Sequence, residues 1–318
     1  MAERLKSKIN CFNVSLAMLI YLMFDYKLIE ALAMVAREGS FDNAAKALYI
    51  TQSAVSQRVK LLEELTGQIL IARTTPPQAT SAGQKLLKHY LQVKQLEDDL
   101  TGEIGEPANK GFASITLGVN ADSLTFWLID ALQSFIFEER ALLDIRVDDQ
   151  EQTHQLLKNG EVMGCISTQD QPMQGCRIKY LGRMDYHMMA APEFAARYFT
   201  NGLTVEEVCH APAIIFDRKD DLHYKLLHQA LGEVPESIPT HYVPSIEKFA
   251  EYIVLGLAYG MLPDQQSTSL VNAGQVVSLS PDCRVSVKLY WHCWNLKSDL
   301  LEKLTQRLIN KTKTLLKK

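Results

Sequence analysis

The chain has 318 residues and a formal net charge of −4, and 47% of its residues are hydrophobic and 22% charged. This length predicts two or three domains, and the charge balance argues against a protein that coats nucleic acid through overall basicity. Six cysteines lie far apart, without C-x-x-C pairs or zinc-like spacing to histidine. We expect free thiols in a reducing cytoplasm and leave open a redox-sensing cysteine.

Residues 1–24 place three basic side chains before an apolar run, VSLAMLIYLMF, and so resemble a secretory signal. The run is too short to span a membrane, and no small-residue cleavage site follows it. We expect a non-native extension, with translation starting at Met18 or Met23. The alternative is the cleaved leader of a solute-binding protein, which would leave residues 25–100 unexplained.

Residues 25–38 predict a first helix, and residues 41–65 predict two more that are joined by a tight turn. Apolar positions recur at helical spacing in the second pair, namely Ala44, Ala45, Leu48, Val55, Val59 and Leu62. Thr51 precedes the last helix and is expected to cap it. The opposite, polar face predicts a helix-turn-helix whose second helix lies in the DNA major groove.

The predicted DNA-binding side chains are hydroxyls, amides and cations: Thr51, Gln52, Ser53, Ser56, Gln57, Arg58, Lys60 and Arg73. Amides and hydroxyls read base edges, whereas cations contact phosphates. No acidic residue lies between Asp42 and Glu63, so we expect the basic side chains of this stretch to be unopposed. The alternative is an ordinary helical hairpin with a solvated outer face.

A short apolar strand at 69–72 and the loop TTPPQA predict a wing that carries Arg73. Residues 80–102 then predict a long helix, which Thr80 is expected to cap. The helix has a longer apolar stripe than its own core can cover, so we expect self-association through this helix. Packing on its own winged domain is the alternative, and both can hold.

After a hinge rich in glycine and proline at 103–112, strand-like runs alternate with helical runs over about 200 residues. This alternation predicts parallel, doubly wound sheets in two small α/β lobes. A cleft between such lobes is a usual place for a small ligand.

Catalytic motifs are missing from the sequence, which has no G-x-S-x-G, H-E-x-x-H, Walker loop or G-x-G-x-x-G. We therefore predict a protein that is not an enzyme and uses no cofactor or metal. His154, His223 and His228 are expected to be exposed. The adjacent carboxylates Asp148–Asp149 and Asp220–Asp221 are expected to face solvent, although a binding role stays open.

The chain resembles the LysR-type transcriptional regulators. The residues that carry the resemblance are FDNAAKALYITQSAVSQRVKLLE, Arg73 and TSAG, and it extends over essentially everything after residue 24. Four further segments point to family members that respond to arginine and lysine, namely RTTPPQATSAGQKLL, VNADSLTFWL, APAIIFDRKDDLH and LYWHCW. The proline pair of the loop replaces the more basic wing of many relatives.

This resemblance implies a winged helix-turn-helix with a long linker helix, followed by a periplasmic-binding-protein-like effector domain. The implied parts are an extension (1–24), a winged domain (25–82), a linker helix (80–102), a hinge (103–112), lobe 1 (113–182 and 287–318) and lobe 2 (183–286). It also implies a cytoplasmic, nucleoid-associated homodimer or tetramer that binds double-stranded DNA, a basic amino acid and RNA polymerase, and no membrane.

A basic amino acid needs a carboxylate for its side-chain cation, and hydroxyls or backbone amides for its own carboxylate. Polar side chains follow the first strand of lobe 1 and the strand APAIIF of lobe 2, and we predict ligand binding by Asn120, Asp122, Ser123, Asp217, Asp220 and Asp221. Alternatively, Ser123 is only a helix cap and the aspartates are solvated. A second hypothesis for the whole chain is an architectural or replication-origin-binding DNA protein without ligand control.

Overall fold

The computed structural model describes residues 25–104, 111–148 and 152–318. The chain divides into two units, of which the first holds the helices through Ile104 and the second nearly all of the chain after it. The predicted extension, most of the predicted hinge and Asp149 of one carboxylate pair lie outside the described residues.

The first unit is a winged helix-turn-helix followed by a long helix. Its elements are α1 (Tyr26–Glu38), α2 (Phe41–Ala47), α3 (Gln52–Thr66), β1 (Ile71–Ala72), β2 (Gln78–Ala79) and α4 (Ser81–Ile104). The side chains of Asp25, Ser40 and Thr51 each accept a backbone N–H in the first turn of the helix that follows. Thr80 does the same for α4, where it accepts the N–H of Gly83 at 3.2 Å. The caps predicted at Thr51 and Thr80 are confirmed.

One apolar core joins α1, α2, α3 and the start of α4. The predicted face of α3 is buried, with Val55 and Leu62 fully covered and Val59 3% exposed. Ala44 and Ala45 of α2 face it, and both are buried as predicted. Because burial of each large aliphatic side chain contributes about 1.5–3 kcal/mol, this core fixes which side of α3 faces solvent.

The second unit is an α/β domain built on one nine-stranded sheet. Its strands are β3 (Ala113–Val119), β4 (Ala141–Val147), β5 (Gly164–Ser167), β6 (Cys176–Ala190), β7 (Ala213–Ile215), β8 (Thr240–Tyr242), β9 (Tyr259–Pro263), β10 (Val277–Ser278) and β11 (Val285–Trp294). The first helical stretch, α5, consists of a turn (Ala121–Ser123), a π-helical segment (Leu124–Leu128) and an α-helix (Ile129–Glu139). The other helices are α6 (Gln152–Asn159), α7 (Pro192–Tyr198), α8 (Val205–His210), α9 (Leu222–Leu231), α10 (Ile246–Val254), α11 (Asp264–Asn272) and α12 (Asp299–Leu315).

The strands follow the order β4-β3-β5-β11-β6-β9-β7-β8, and β10 also pairs with β6. Parallel pairs form each lobe, because β3 lies between β4 and β5, and β7 lies between β8 and β9. The lobes are joined by β6 and β11, which are antiparallel and cross from one to the other. The predicted fold class is confirmed, and the antiparallel crossing adds to the parallel pairing expected within the lobes.

An irregularity interrupts the two crossing strands. Their register shifts between Leu289, which pairs with Gly182, and Tyr290, which pairs with Tyr180, so that Leu181 is the extra residue of the bulge. Gly182 has φ 143, and an added Cβ there would lie 2.7 Å from the carbonyl oxygen of Lys317. Arg183 also exchanges two backbone hydrogen bonds with Lys317, at 2.7 and 3.2 Å. Glycine is therefore required where the chain beyond α12 approaches β6.

Within the described part of the chain, no helix is both long and apolar enough to cross a membrane.

Candidate DNA interface and effector site

The polar face of α3 is open to solvent. Its predicted contact residues are exposed (Thr51, Gln52, Ser53, Gln57 and Lys60) or half-buried (Ser56 and Arg58). The hydroxyl of Thr51 caps the helix at Ala54, 3.2 Å away, and lies 3.0 Å from the hydroxyl of Ser53. The same cap that starts the helix therefore fixes the first side chains of the polar face.

A side-chain tether connects α3 to the wing. Glu63 Oε1 accepts the backbone N–H of Leu70 at 2.8 Å and that of Ile71 at 3.3 Å. The shallow groove beside this tether is lined by Phe41, Ser56, Val59, Lys60, Glu63, Ile71 and Arg73. The structure thus brings together Ser56 and Lys60 of the helix with Arg73 of the wing.

One electrostatic expectation for this surface is wrong. Lys60 is not unopposed, because its Nζ lies 3.7 Å from Glu64 Oε1 one turn further along α3. Both side chains are exposed, and such a pair contributes only about 0.3–0.5 kcal/mol. The ammonium group of Lys60 can therefore exchange this partner for a phosphate at little cost.

In the effector domain, an aspartate after β3 is hydrogen-bonded to a tyrosine of β6, one of the two strands that cross between the lobes. The hydroxyl of Tyr186 donates to Asp122 Oδ2 at 2.5 Å. Tyr186 is buried and pairs with Val285 of β11 and Pro263 of β9, so it lies where β6 passes between the lobes. Asp220, which follows β7 in the other lobe, acts electrostatically on both groups.

Burial raises the pKa of Asp122 to about 6; the hydrogen bond from Tyr186 opposes this rise and Asp220 adds to it. Burial also raises the pKa of Asp220. The backbone N–H groups of Leu222 and Phe216 oppose this rise, because they stabilise its carboxylate. Two carboxylates that are costly to ionise together are a favourable place for a cation, which removes both the desolvation cost and their repulsion.

Three buried polar atoms follow β3 without a hydrogen-bond partner among the described residues. They are Asn120 Oδ1, Ser123 Oγ and Trp127 Nε1, on side chains that are 5%, 0% and 1% exposed. An unsatisfied buried group costs about 1–3 kcal/mol, so each is a position where a ligand atom would be stabilising. The π-helical segment Leu124–Leu128 passes through the same stretch, and such segments are frequent at functional sites.

Ser123 is not a helix cap. The helix begins at Ala121, and Asn120 holds the capping position without a side-chain cap bond. Ser123 lies inside the first turn with its hydroxyl covered. The alternative in which this residue serves only to start the helix therefore does not describe the structure.

The other predicted aspartates have local partners. Asp217 Oδ1 accepts the backbone N–H of Lys219 at 2.7 Å and that of Asp220 at 3.1 Å. Asp221 is exposed and lies 2.8 Å from Lys225 on α9. Asp217 therefore shapes the loop, Asp221 forms an ion pair at the surface, and of the three aspartates only Asp220 acts electrostatically on Asp122.

Sequence reasoning missed two polar side chains near this edge of the sheet, those of Tyr186 and Ser167. Nothing in the alternation of β6 distinguishes Tyr186, because its importance comes from a partner 64 positions away. Ser167 is buried at the end of β5, which is parallel to β3, so it lies at the same edge as Asn120. His292 Nε2 donates to the carbonyl of Gln169, 2.8 Å away, and holds the loop that follows. The polar run STQD after an apolar strand was an available signal.

Two of the three histidine expectations are wrong, those for His223 and His154. His223 is buried, because it lies on the face of α9 that packs inward, and its Nε2 is 3.2 Å from the hydroxyl of Tyr259. Burial lowers its pKa to about 4. His154 is half-buried with its ring edge-on to His292, and His228 is exposed as expected. Among the described residues, no three histidine, cysteine or acidic side chains could together hold a metal ion.

A recognition helix with an open polar face, joined to two α/β lobes with carboxylates near their crossing, defines a DNA-binding regulator with an effector domain. Two family models match the chain, one over the winged helix-turn-helix and one over the effector domain. "Bacterial regulatory helix-turn-helix protein, lysR family" matches residues 26–84, and "LysR substrate binding domain" matches residues 112–311. The chain belongs to the LysR family of bacterial transcriptional regulators, as its sequence predicts.

Individual relatives cover nearly the whole chain. The HTH-type transcriptional regulator ArgP of Proteus mirabilis (strain HI4320) is 41% identical over 92% of this chain and 97% of its own length. The crystal structure of ArgP from Mycobacterium tuberculosis is 36% identical, covers 93% of this chain and 99% of its own, and has a TM-score of 0.83. Full-length LysG from Corynebacterium glutamicum with bound effector Arg is 30% identical, with coverage of 93% and 100% and a TM-score of 0.74. Because these relatives are transcriptional regulators, the prediction that the chain is a regulator and not an enzyme is confirmed.

Proposed function

We propose that this LysR-type regulator binds specific DNA sequences and responds to a basic amino acid, lysine or arginine, in controlling genes of their export and metabolism. The observation that carries the proposal is the group of partly and fully buried polar side chains after β3, with Asp122 bonded to Tyr186. The arginine bound to LysG and the similarity to ArgP support the same class of effector.

In this proposal the cationic end of the effector is bound by the carboxylates of Asp122 and Asp220. Tyr186 holds Asp122 in position through the 2.5 Å hydrogen bond. The hydroxyl of Ser123 can donate to the effector carboxylate, and Asn120 Oδ1 can accept from its α-ammonium group. Asp217, also predicted from the sequence, acts here by shaping the loop that presents Asp220, whereas Asp221, the remaining predicted residue, pairs with Lys225 at the surface.

DNA binding is assigned to α3 and the wing. Gln52, Ser53 and Gln57 are proposed to read base edges, and Arg58, Lys60 and Arg73 to contact phosphates. The other two predicted DNA-binding residues of the helix are Thr51 and Ser56. Thr51 lies at the start of the polar face, and Ser56 lies at its half-buried margin. Exposed Leu96, Leu100 and Ile104 on α4 support self-association into a homodimer or tetramer.

Regulation then follows from differential affinity of the effector for two arrangements of the assembled protein. Effector bound between the lobes changes their orientation, and the assembly converts this change into a different spacing of the winged domains on DNA. The proposed consequence is altered DNA bending or contact with RNA polymerase. A DNA target supports the proposed location in the cytoplasm, at the nucleoid. The domain boundaries drawn from the sequence also stay proposals.

Calorimetric titration of lysine and arginine into the purified protein tests this assignment. Asp122→Asn should weaken lysine binding by about 10- to 100-fold, because a hydrogen-bonded charge pair is lost. Norleucine, which lacks the side-chain ammonium group, should not bind the wild type. Asp221→Asn is the matched control and should bind lysine normally. Unchanged lysine affinity in both Asp122→Asn and Asp220→Asn would refute the site.

Footprinting with and without lysine separates the two functional hypotheses. A bounded promoter site whose protection changes with lysine supports the regulator. Diffuse protection that ignores lysine and arginine supports the architectural DNA protein instead.

A further inference from the structure

Tyr49 occupies an unfavourable backbone conformation in the turn between α2 and α3. Its φ is 55, and among the described residues only Arg140 is another non-glycine residue with positive φ. The conformation is held by hydrogen bonds on either side, from Tyr49 N–H to the carbonyl of Lys46 and from Ile50 N–H to that of Ala45. For a residue with a bulky side chain this left-handed region costs about 1–2 kcal/mol, which glycine would avoid.

The side chain of Tyr49 does not recover this cost inside the protein. It is 95% exposed, whereas its neighbours Leu48 and Ile50 are half-buried and pack against the core of the winged domain. Within the described residues its hydroxyl makes no hydrogen bond. A large aromatic side chain thus stands in water, on a backbone that disfavours it, and the folded domain gains nothing visible from it. An outlier of this kind motivates a functional hypothesis.

The position of the turn indicates what Tyr49 can meet. It lies two residues before Thr51, which starts the polar face of α3, and three residues after the exposed Lys46. A phosphate approaching the start of α3 therefore finds cationic and hydroxyl side chains close together in the chain. Tyrosine hydroxyls are among the groups that donate to DNA phosphates.

We propose that Tyr49 donates a hydrogen bond from its hydroxyl to a phosphate of the DNA backbone beside the recognition helix. This inference rests on the proposed orientation of α3 toward DNA, and it adds a positioning contact that reads no base. The contact fixes the depth and rotation of α3 in the groove and leaves the reading of bases to other side chains.

The decisive variant is Tyr49→Phe, which keeps the ring and removes only the donor. We expect its affinity to fall about tenfold on specific and on unrelated DNA alike, because a hydrogen bond to a charged group is lost. The slope of log affinity against log salt should stay unchanged, since tyrosine carries no charge and releases no counterion. Lys60→Ala, by contrast, should make the dependence of affinity on salt less steep, because one fewer phosphate is neutralised.

Tyr49→Gly separates strain from function. It should raise the thermal midpoint of the protein, because glycine adopts the positive φ freely, and still weaken DNA binding. Arg140→Gly is the matched control at the other positive-φ position, in the effector domain, and should leave DNA affinity as it is. Wild-type affinity of Tyr49→Phe would overturn the proposal.

Gln57→Ala distinguishes failure of this proposal from failure of the DNA interface itself. If Gln57→Ala loses operator preference while Tyr49→Phe binds like the wild type, the interface stands and the Tyr49 contact is wrong. If neither variant changes binding, the orientation of α3 is wrong as well.

Discussion

At the scale of single residues, Asp122 combines a shifted ionisation with a position next to the lobe crossing. Burial raises its pKa to about 6, so most molecules carry the ionised carboxylate at neutral pH and few do at pH 5. A cationic effector binds the ionised form. In the proposed site, affinity for lysine is therefore coupled to loss of a proton from Asp122.

We expect lysine affinity to fall about tenfold between pH 7 and pH 5, following the ionised fraction of a carboxyl group with pKa about 6. Calorimetry at several pH values in buffers of matched salt measures this fall. The residual binding of Asp122→Asn should vary little over the same range. A wild-type affinity that is flat between these pH values would exclude Asp122 as a ligand of the cation.

Which site residues the sequence could reveal depends on the range of their interactions. Asp122 and Ser123 were accessible because they follow an apolar strand, where clefts of α/β domains open. Tyr186 was not, because its partner Asp122 lies 64 positions away. The expectation for His223 was wrong because the residue type was weighed above its helical spacing with Leu226 and Leu227, which places it on the buried face of α9.

At the scale of elements, the wing depends on α3 through one carboxylate. Glu63 Oε1 accepts two backbone N–H groups at the start of β1, those of Leu70 and Ile71. The strands of the wing have only two residues each, and their other restraints are the burial of Leu70 and Ile71 and the hydrogen bonds of Thr80 to the carbonyls of Ile69 and Leu70. The tether therefore contributes to the position of Arg73, the predicted wing contact.

Glu63→Ala should destabilise the winged domain by about 1–3 kcal/mol, because two half-buried N–H groups lose their acceptor. Faster hydrogen exchange at the amides of Leu70 and Ile71 would report the loss directly. Glu64→Ala is a suitable control, since Glu64 makes only the exposed pair with Lys60 and should change stability by less than about 0.5 kcal/mol. Equal exchange rates at both amides in the wild type and Glu63→Ala would contradict the tether.

The elements themselves were largely predictable where periodicity was strong. Caps, apolar faces and the alternation of strands and helices located α1 to α4 and most strands of the effector domain. The short edge strand β8 lacks such a signal, because Thr240–Tyr242 is polar and mostly exposed, without the alternation of a half-buried strand. The first half of β6 lacks it as well, because its partly exposed start, from Cys176, has no regular apolar pattern.

At the scale of the whole molecule, the stability of the effector domain should depend on pH through His223. Its pKa is about 4 in the folded protein, against an ordinary value of 6.5, because the ring is buried. The unfolded chain thus takes up a proton first as the pH falls. The contribution of neutral His223 to the free energy of unfolding is fully present above about pH 6.5, and it is lost as the pH falls toward 4.

Unfolding of the effector domain in urea should accordingly lose about 2 kcal/mol between pH 7.5 and pH 5 through this group. His223→Gln should show a smaller loss over that interval. His228→Gln, on the exposed side of the same helix, should behave like the wild type. If His223→Gln and the wild type lost stability equally, another group would be responsible.

The continuity of β6 and β11 through both lobes limits how the effector domain can move. Since each strand belongs to both lobes and they remain hydrogen bonded to each other, rotation of one lobe has to be absorbed as torsion of a two-stranded ribbon. A β-bulge is the point at which such a ribbon bends and twists most easily, and here it lies at Gly182 and Leu289. We therefore expect the lobe rotation of the proposed regulation to be a small screw motion centred on that bulge.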